Sequence, residues 1–499
     1  MKKGFVYLAG AGPGDPDLIT VKALNALRDA ECVIYDFLAN PSVLGPLSCE
    51  KIYVGKQGGD HTLPQEEINA LLVRKALEGK VVVRLKGGDP FIFGRGGEEA
   101  EELVKHGIPF AIIPGISSFY SAPAYAGIPV THRDFANAFE VITGHRRADA
   151  PEGEDVNFPD YDPDKTFVFL MGMKNLEHIA SSLVTRKAFP ADTPAAVVTW
   201  GTTPAQRTAA GTLGDIAASA ASAGMTPPAI IVVGRVAGLR EKLRWFDTLP
   251  LFGKNIVVTR TREQASVLSR KLAALGAQAI ELPSIKIRIP GDQRSLREAL
   301  GKIGTYSWIV FTSQNAVGIF FQAMADNGLD ARALHACRIA AIGPATAAEL
   351  AGRGIVADLV PDEYVAEAAL AALGKAGVAG ARVLLPCASG AREVLSTGLA
   401  GLGASVDRVH IYDTVMPDDA GAEALERVRD ADIVTFASSS TAKNFFAMVK
   451  DTSAALASIG PVTSAALREL GKRVDIEAKE YTIDGLVDAI VEWCGRPGK

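Results

Sequence analysis

At 499 residues the chain is too long for one ordinary core, so two to four α/β-sized units are expected. Hydrophobic residues at 48% and charged residues at 22% suit a soluble globular protein. A net charge of −5 argues against a general nucleic-acid binder, which needs a basic face, but leaves room for a local basic cleft. Five cysteines without paired spacing (Cys32, Cys49, Cys337, Cys387, Cys494) suggest reduced thiols in a cytoplasmic protein, and no metal site is expected.

The N-terminal MKKGFVYLAGAGPGD reads as a strand entering a glycine turn, not as a signal peptide. No stretch reaches the ~18 apolar residues of a membrane helix. In chain order, VKALNALRDA has the three- and four-residue apolar spacing of a helix. CVIYD, KVVVRL, FAIIP, FVFLMG, AAVVTW and AIIVVG are then strand-like runs alternating with helical patterns. That alternation predicts α/β layers. Residues 146–165, rich in Asp, Glu and Pro, predict a long surface loop beside an active site. Pro250 and Gly253 interrupt the chain before NIVVTR opens a new strand, so one domain is placed at 1–248 and a second at 253–499.

The second half is internally duplicated. IVFTSQNAVGIFF (309–321) aligns with IVTFASSSTAKNFF (433–446), and IAAIGPATAAELAGRG (339–354) with LASIGPVTSAALRELG (456–471). Two copies of one α/β plan predict two similar lobes with a cleft between them.

Chemistry in the first half concentrates in glycine turns at strand ends, where α/β proteins bind ligands. Gly10-Ala11-Gly12-Pro13-Gly14-Asp15 allows close approach to backbone amides and a helix N-terminus. It lacks the ending of a nucleotide P-loop, and Pro13 breaks the dinucleotide pattern. RLKGGDPFIFGRGGEE (84–99) combines flexible backbone, aromatic surface and dense charge. PGISS (114–118), AYAGIPVTHRD (124–134), VITGH (141–145), FLMGM (169–173) and TPPAIIVVG (226–234) add further turns.

Together these segments, across residues 4–246, resemble the tetrapyrrole methylase family, and within it the uroporphyrinogen III C-methyltransferases. The resemblance implies two α/β lobes (about 1–115 and 116–248) with S-adenosylmethionine between them, yielding S-adenosylhomocysteine, and a homodimer through this half. By the same match, Pro13, Gly87, Gly88, Asp89, Ile92, Ser117, Ser118, Met171, Gly201 and Ala229 occupy cofactor-contacting positions. The implied reaction methylates two pyrrole carbons, C2 and C7, giving precorrin-2 for sirohaem or cobalamin. Asp36 and Lys56 match acid/base positions. Arg95 is the rival candidate, with Glu98, His132 and Arg133 holding a substrate of eight carboxylates, for which arginine's planar fork is suited.

The second half shows no nucleophile elbow, metal spacing or phosphate loop. It offers hydroxyls at probable helix starts: Thr312 and Ser313 beside Asn315, then Ser438, Ser439 and Ser440, with Thr346 and Thr463 after matching Ile-Gly-Pro turns. Their local role is N-capping, worth ~1 kcal/mol, and the same N-terminus can also bind a carboxylate. VVTR, PSI, FTSQNAV, IGPAT, LLP, HIYDT, a second F-x-S and IGPVT, in that order over 254–493, resemble the uroporphyrinogen III synthase family. That implies lobe A at about 253–283 plus 414–499 and lobe B at about 290–405, joined by crossings near 280–289 and 406–415. Hydroxymethylbilane would be cyclised with inversion of ring D and loss of water. Tyr412 matches a tyrosine assisting hydroxyl departure, and Ser313, Ser438 and Thr463 match carboxylate contacts. Two other readings stand beside this one. One is an α/β nucleotide-dependent oxidoreductase, suggested by GAGPGD with Asp36 near the ribose-acid spacing. The other is a two-lobed ligand-binding protein built on the duplicated half.

Overall fold

The computed structural model describes residues 4–45, 47–55, 63–144, 158–259, 262–282, 284, 286–391, 393–415, 425–426 and 428–496. Lys56, and most of the acidic segment expected as a surface loop, lie outside them. The chain forms two compact units, Met1–Lys254 with Leu275–Gln278, and Asn255–Ala274 with Ala279–Lys499.

The first unit holds two five-stranded sheets. β1 (Phe5–Gly10), β2 (Cys32–Tyr35), β3 (Glu50–Tyr53), β4 (Val81–Lys86) and β5 (Phe110–Ile113) lie in the order β3-β2-β4-β1-β5, with every pair parallel. A parallel sheet is covered on both faces, which is why its central strands are runs of valine and leucine. Side chains alternate across the sheet. Val6, Leu8, Ile34 and Val82 enter one core with Ala100 and Leu103 of the helix Gly96–Lys105. Ala9, Val33, Val83 and Leu85 enter the core on the other face. Arg84 and Lys86 therefore fall on the Val82 face, beneath that helix.

The second sheet comprises β6 (Ala138–Thr143), β7 (Lys165–Leu170), β8 (Pro194–Thr199), β9 (Arg207–Thr212) and β10 (Ala229–Val233), ordered β6-β7-β10-β8-β9. Only β6 and β7 pair in parallel; the others are antiparallel. Phe167, Phe169, Val197 and Ile231 fill one face, and Val168, Leu170, Val198 and Ile230 the other.

In the second unit, β11 (Asn255–Val258) and β12 (Gln278–Glu281) join a sheet completed by β18 (Ile433–Phe436), β19 (Ala455–Ser458) and β20 (Ile476–Glu477), ordered β12-β11-β18-β19-β20. Between them in sequence, β13 (Lys286–Arg288), β14 (Trp308–Phe311), β15 (Arg338–Ala341), β16 (Arg382–Ala388) and β17 (Ser405–Val415) form a sheet ordered β13-β17-β16-β14-β15. This inserted sheet is wider than the 290–405 span expected from sequence. The 406–415 segment expected as a crossing is a strand paired with β16 on one side and antiparallel to β13 on the other.

The duplication is physical. Phe311 meets Phe320 edge-on at 5.4 Å in one copy, and Phe436 meets Phe445 edge-on at 5.4 Å in the other. Ser313 accepts the Ala316 amide at the start of the helix Gln314–Asp326. Ser438 accepts the Thr441 amide at the start of the helix Ser439–Met448. Phe320 is fully buried. Its replacement by alanine is expected to cost about 3–5 kcal/mol through lost burial and a residual cavity. Chemical denaturation of the second unit checks this; a loss below about 1 kcal/mol would mean the ring does not anchor that lobe.

Candidate active sites at the strand ends

Three glycine turns leave β1, β4 and β5, which are neighbours in the first sheet. Gly12 and Gly88 exchange backbone hydrogen bonds of 3.2 and 2.7 Å. A Cβ on Gly10 would lie 2.5 Å from the Gly88 carbonyl oxygen, and one on Gly115 would lie 2.1 Å from it. Backbone thus touches backbone, and only glycine fits. Asp89 staples the turns: Oδ2 accepts the Gly115 amide at 2.9 Å and Oδ1 the Phe91 amide at 2.7 Å. Gly88, with φ +66°, abuts the start of the helix Ser118–Tyr125, where a Cβ would lie 3.8 Å from Ser117 Cα and 3.9 Å from the Ser118 nitrogen.

The second lobe meets these turns. Met171 follows β7, Gly201 lies just beyond β8, and Ala229 opens β10, which runs between those two strands. A Cβ on Gly201 would strike Ala122 at 2.3 Å. The Asp15 amide donates to Thr202 Oγ1 at 3.1 Å, and Tyr125 donates to Asp15 Oδ2 at 2.8 Å. Burial, then that carboxylate, raises the Tyr125 phenol well above its usual range. Gln206 accepts the Thr202 amide and donates to the Tyr125 carbonyl. Among the described residues six non-glycine residues have positive φ, and five of them (Phe93, Arg95, Met171, Trp200, Thr202) stand on these loops. Clustered backbone strain marks functional sites.

Asp36 follows β2, beside β4. Its Oδ1 accepts the Leu38 amide at 3.2 Å and its Oδ2 is 3.2 Å from Arg84 Nη2. Nearby, burial first and Asp36's charge second raise the Tyr53 phenol. Behind Asp36 lies a buried ionic cluster. Glu99 Oε1 accepts from Lys86 Nζ at 2.8 Å, Arg84 Nε at 3.2 Å and Gln65 Nε2 at 3.2 Å. Burial, then the Arg84 charge, lowers the Lys86 ammonium pKa. Sequence reading missed this cluster, although Arg84 and Lys86 at a two-residue spacing after VVV were its signal. Charge next to glycines reads as part of a loop.

Arg95 and Glu98 come together as an exposed fork-to-carboxylate pair, with contacts of 2.9 and 2.6 Å. That pairing raises the Arg95 pKa and holds the Glu98 carboxyl below its usual range. Glu98 is thus the counter-ion of Arg95. His132 sits on the hairpin before β6, where Nδ1 accepts the Asp134 amide and the ring packs on Phe135; Arg133 is exposed on the same turn.

In the second unit, Ser313 Oγ and Tyr412 Oη are 3.0 Å apart, with Tyr412 only 6% exposed. Burial raises the Tyr412 phenol, and the Ser313 contact partly offsets it. Ser438 and Thr463 begin helices that follow the adjacent strands β18 and β19, and Ser439 Oγ donates to the Val462 carbonyl between them. The four residues therefore form two pairs, one on each sheet.

Two family models match the chain: Tetrapyrrole (Corrin/Porphyrin) Methylases over residues 6–217, and Uroporphyrinogen-III synthase HemD over residues 266–488. A porphyrin biosynthesis protein HemD of Ruminiclostridium josui is 38% identical over 504 residues, covering 99% of this chain and 98% of its own. The chain belongs to this family of tetrapyrrole methylases fused to uroporphyrinogen-III synthases. A uroporphyrinogen-III C-methyltransferase of Methanocaldococcus jannaschii is 50% identical over 240 residues, covering 48% of this chain and 98% of its own. A Thermus thermophilus uroporphyrin III C-methyl transferase structure, complexed with S-adenyl homocysteine, is 37% identical with a TM-score of 0.40. It covers 47% of this chain and 93% of that one. The methylase and synthase domains make the chain a bifunctional enzyme of tetrapyrrole biosynthesis, and the oxidoreductase and binding-protein readings are not favoured.

Removing the Asp89 carboxylate in the methylase half leaves two amides without their acceptor. Asp89→Ala is expected to lower the stability of the first unit by about 1–3 kcal/mol. Denaturation monitored in that unit decides it, since an unchanged midpoint would show that water replaces both contacts.

Proposed function

We propose that the synthase half, residues 253–499, cyclises hydroxymethylbilane to uroporphyrinogen III with ring D inverted and water lost. The methylase half, residues 1–248, then transfers methyl groups from S-adenosylmethionine to C2 and C7, giving precorrin-2 for sirohaem or cobalamin. The observation that carries the methyl-transfer reading is the convergence of glycine turns from one lobe with Met171, Gly201 and Ala229 from the other.

The residues present fit the nucleotide. Gly88, without a side chain, lies against Ser117 and Ser118 at a helix start, and Ile92 and Met171 leave apolar side chains exposed on the loops. Pro13, Gly87, Gly88, Asp89, Ser117, Ser118, Gly201 and Ala229 would hold it, with Asp89 acting by fixing the turns. When bound, S-adenosylmethionine supplies an electrophilic sulfonium methyl. The chain's own contribution is alignment, worth ~7–11 kcal/mol when complete, and movement of a proton from the pyrrole. Asp36, a partly exposed carboxylate at the mouth, is our candidate to accept it; Lys56 shares that role by resemblance alone. Arg95, with His132 and Arg133, binds substrate carboxylates after exchanging its contact with Glu98.

In the synthase half, Tyr412 is a neutral donor at physiological pH, because burial raises its phenol further above an already high value. Either hydroxyl of the Ser313–Tyr412 pair can donate, and when Ser313 donates to Oη the phenolic hydrogen is free to follow the departing hydroxyl. Ser438 and Thr463 hold substrate carboxylates. A homodimer through the methylase half and a cytoplasmic location complete the reading; the five free cysteines suit a reducing compartment.

Incubation of the full chain with hydroxymethylbilane and S-adenosylmethionine is expected to yield methylated tetrapyrrole absorbance, and its absence would overturn the reading. Asp36→Asn should lower the methylation kcat by ~10²–10⁴-fold, whereas Arg95→Ala should chiefly raise the KM for tetrapyrrole. The reverse pattern would move the catalytic role from Asp36 to Arg95. Tyr412→Phe should slow ring closure about tenfold or more while methylation of added uroporphyrinogen III stays normal. Wild-type closure would reduce Tyr412 to packing.

A further inference from the structure

We infer that Arg84 is a positioning residue for methyl transfer: held from behind by Glu99, it fixes the Asp36 carboxylate at the mouth of the methylase site. The inference rests on the reading of Asp36 as the proton-accepting group.

The placement begins with strand periodicity. In parallel register Ile34 faces Arg84 and Tyr35 faces Leu85, so Asp36, the residue after β2, stands beside the end of β4. The guanidinium then uses its whole fork. Nε donates to Glu99 at 3.2 Å, Nη1 to the Leu85 and Ile34 carbonyls at 3.0 and 3.4 Å, and Nη2 to Asp36 at 3.2 Å. Asp36 has one oxygen on Arg84 and the other on the Leu38 amide, so the carboxylate is held at both ends. Lys86 grips Glu99 from the other side.

Exposure gives the cluster a direction. The side chain of Glu99 is fully buried, that of Arg84 is 4% exposed, and that of Asp36 is 26% exposed. A chain of charges runs from the core to one carboxylate that solvent, and hence substrate, can reach. Stability does not explain it well. Buried ion pairs often gain nothing over apolar residues of the same volume, and Glu99 Oε2 has no hydrogen-bond partner among the described residues. Fixing a reactive group within a fraction of an ångström does explain it, because such groups depend on supporting hydrogen bonds.

Arg84→Lys tests the assignment while keeping the buried positive charge. A lone ammonium cannot span Glu99, two carbonyls and Asp36 together. Expected in the full-length chain is a fall of about tenfold or more in the methylation kcat. S-adenosylhomocysteine affinity and the synthase rate of the same chain should stay within about twofold, as controls for folding. In an Asp36→Asn background the added R84K should change the residual methylation rate less than about twofold, because the effect passes through Asp36. A further tenfold loss in that background, or an unchanged kcat for R84K alone, overturns the inference. Wild-type methylation by Asp36→Asn alone overturns the reading of Asp36 beneath it. If R84K weakens S-adenosylhomocysteine binding, Glu99→Gln serves instead: a kcat loss that vanishes with Asp36→Asn supports the positioning role, and one that persists refutes it.

Discussion

The contact on which the methylase half depends is backbone against backbone at Gly10, Gly88 and Gly115. No side chain can enter there, so the ends of β1, β4 and β5 close into one surface of peptide groups. Asp89 accepts two amides of that surface, and the loops at these strand ends carry five of the six positive-φ non-glycine residues among those described. The glycines are thus less a sign of flexibility than of close approach. They create a rigid floor on which a ligand can meet amides and a helix N-terminus.

A second consequence follows from the sheet beneath. Parallel pairing puts Asp36 next to β4, and alternation puts Arg84 and Lys86 on one face below the helix that carries Glu99. Fold and site share one cause here: the register that buries valines also lines up the charges. Across the lobes, Asp15, Tyr125, Thr202 and Gln206 form a hydrogen-bonded clasp, so the floor and the opposite loops are held by polar contacts spanning up to 187 residues of sequence.

Much of the architecture was legible from hydrophobic runs, and the duplication in the second half could be read directly by alignment. β3, β6 and β9 were not. EKIY is too short and charged, AFEVIT carries an acid, and RTAAGT is small and polar, as an edge strand can be. Nor can one-dimensional pattern show that β10 lies antiparallel between β7 and β8, which is what assembles Met171, Gly201 and Ala229. Buried Glu99 escaped notice because charge beside glycine ordinarily means solvent. Ser313 and Ser438 cap, as expected of hydroxyls at helix starts, and Ser313 also touches Tyr412, a pairing separated by 99 residues that no local motif reveals.

The most direct test is isothermal titration of the purified full-length chain with S-adenosylhomocysteine. The account predicts saturable binding of one molecule per chain. A titration showing no uptake of it, nor of S-adenosylmethionine, would contradict the claim that these glycine-built strand ends form a nucleotide site.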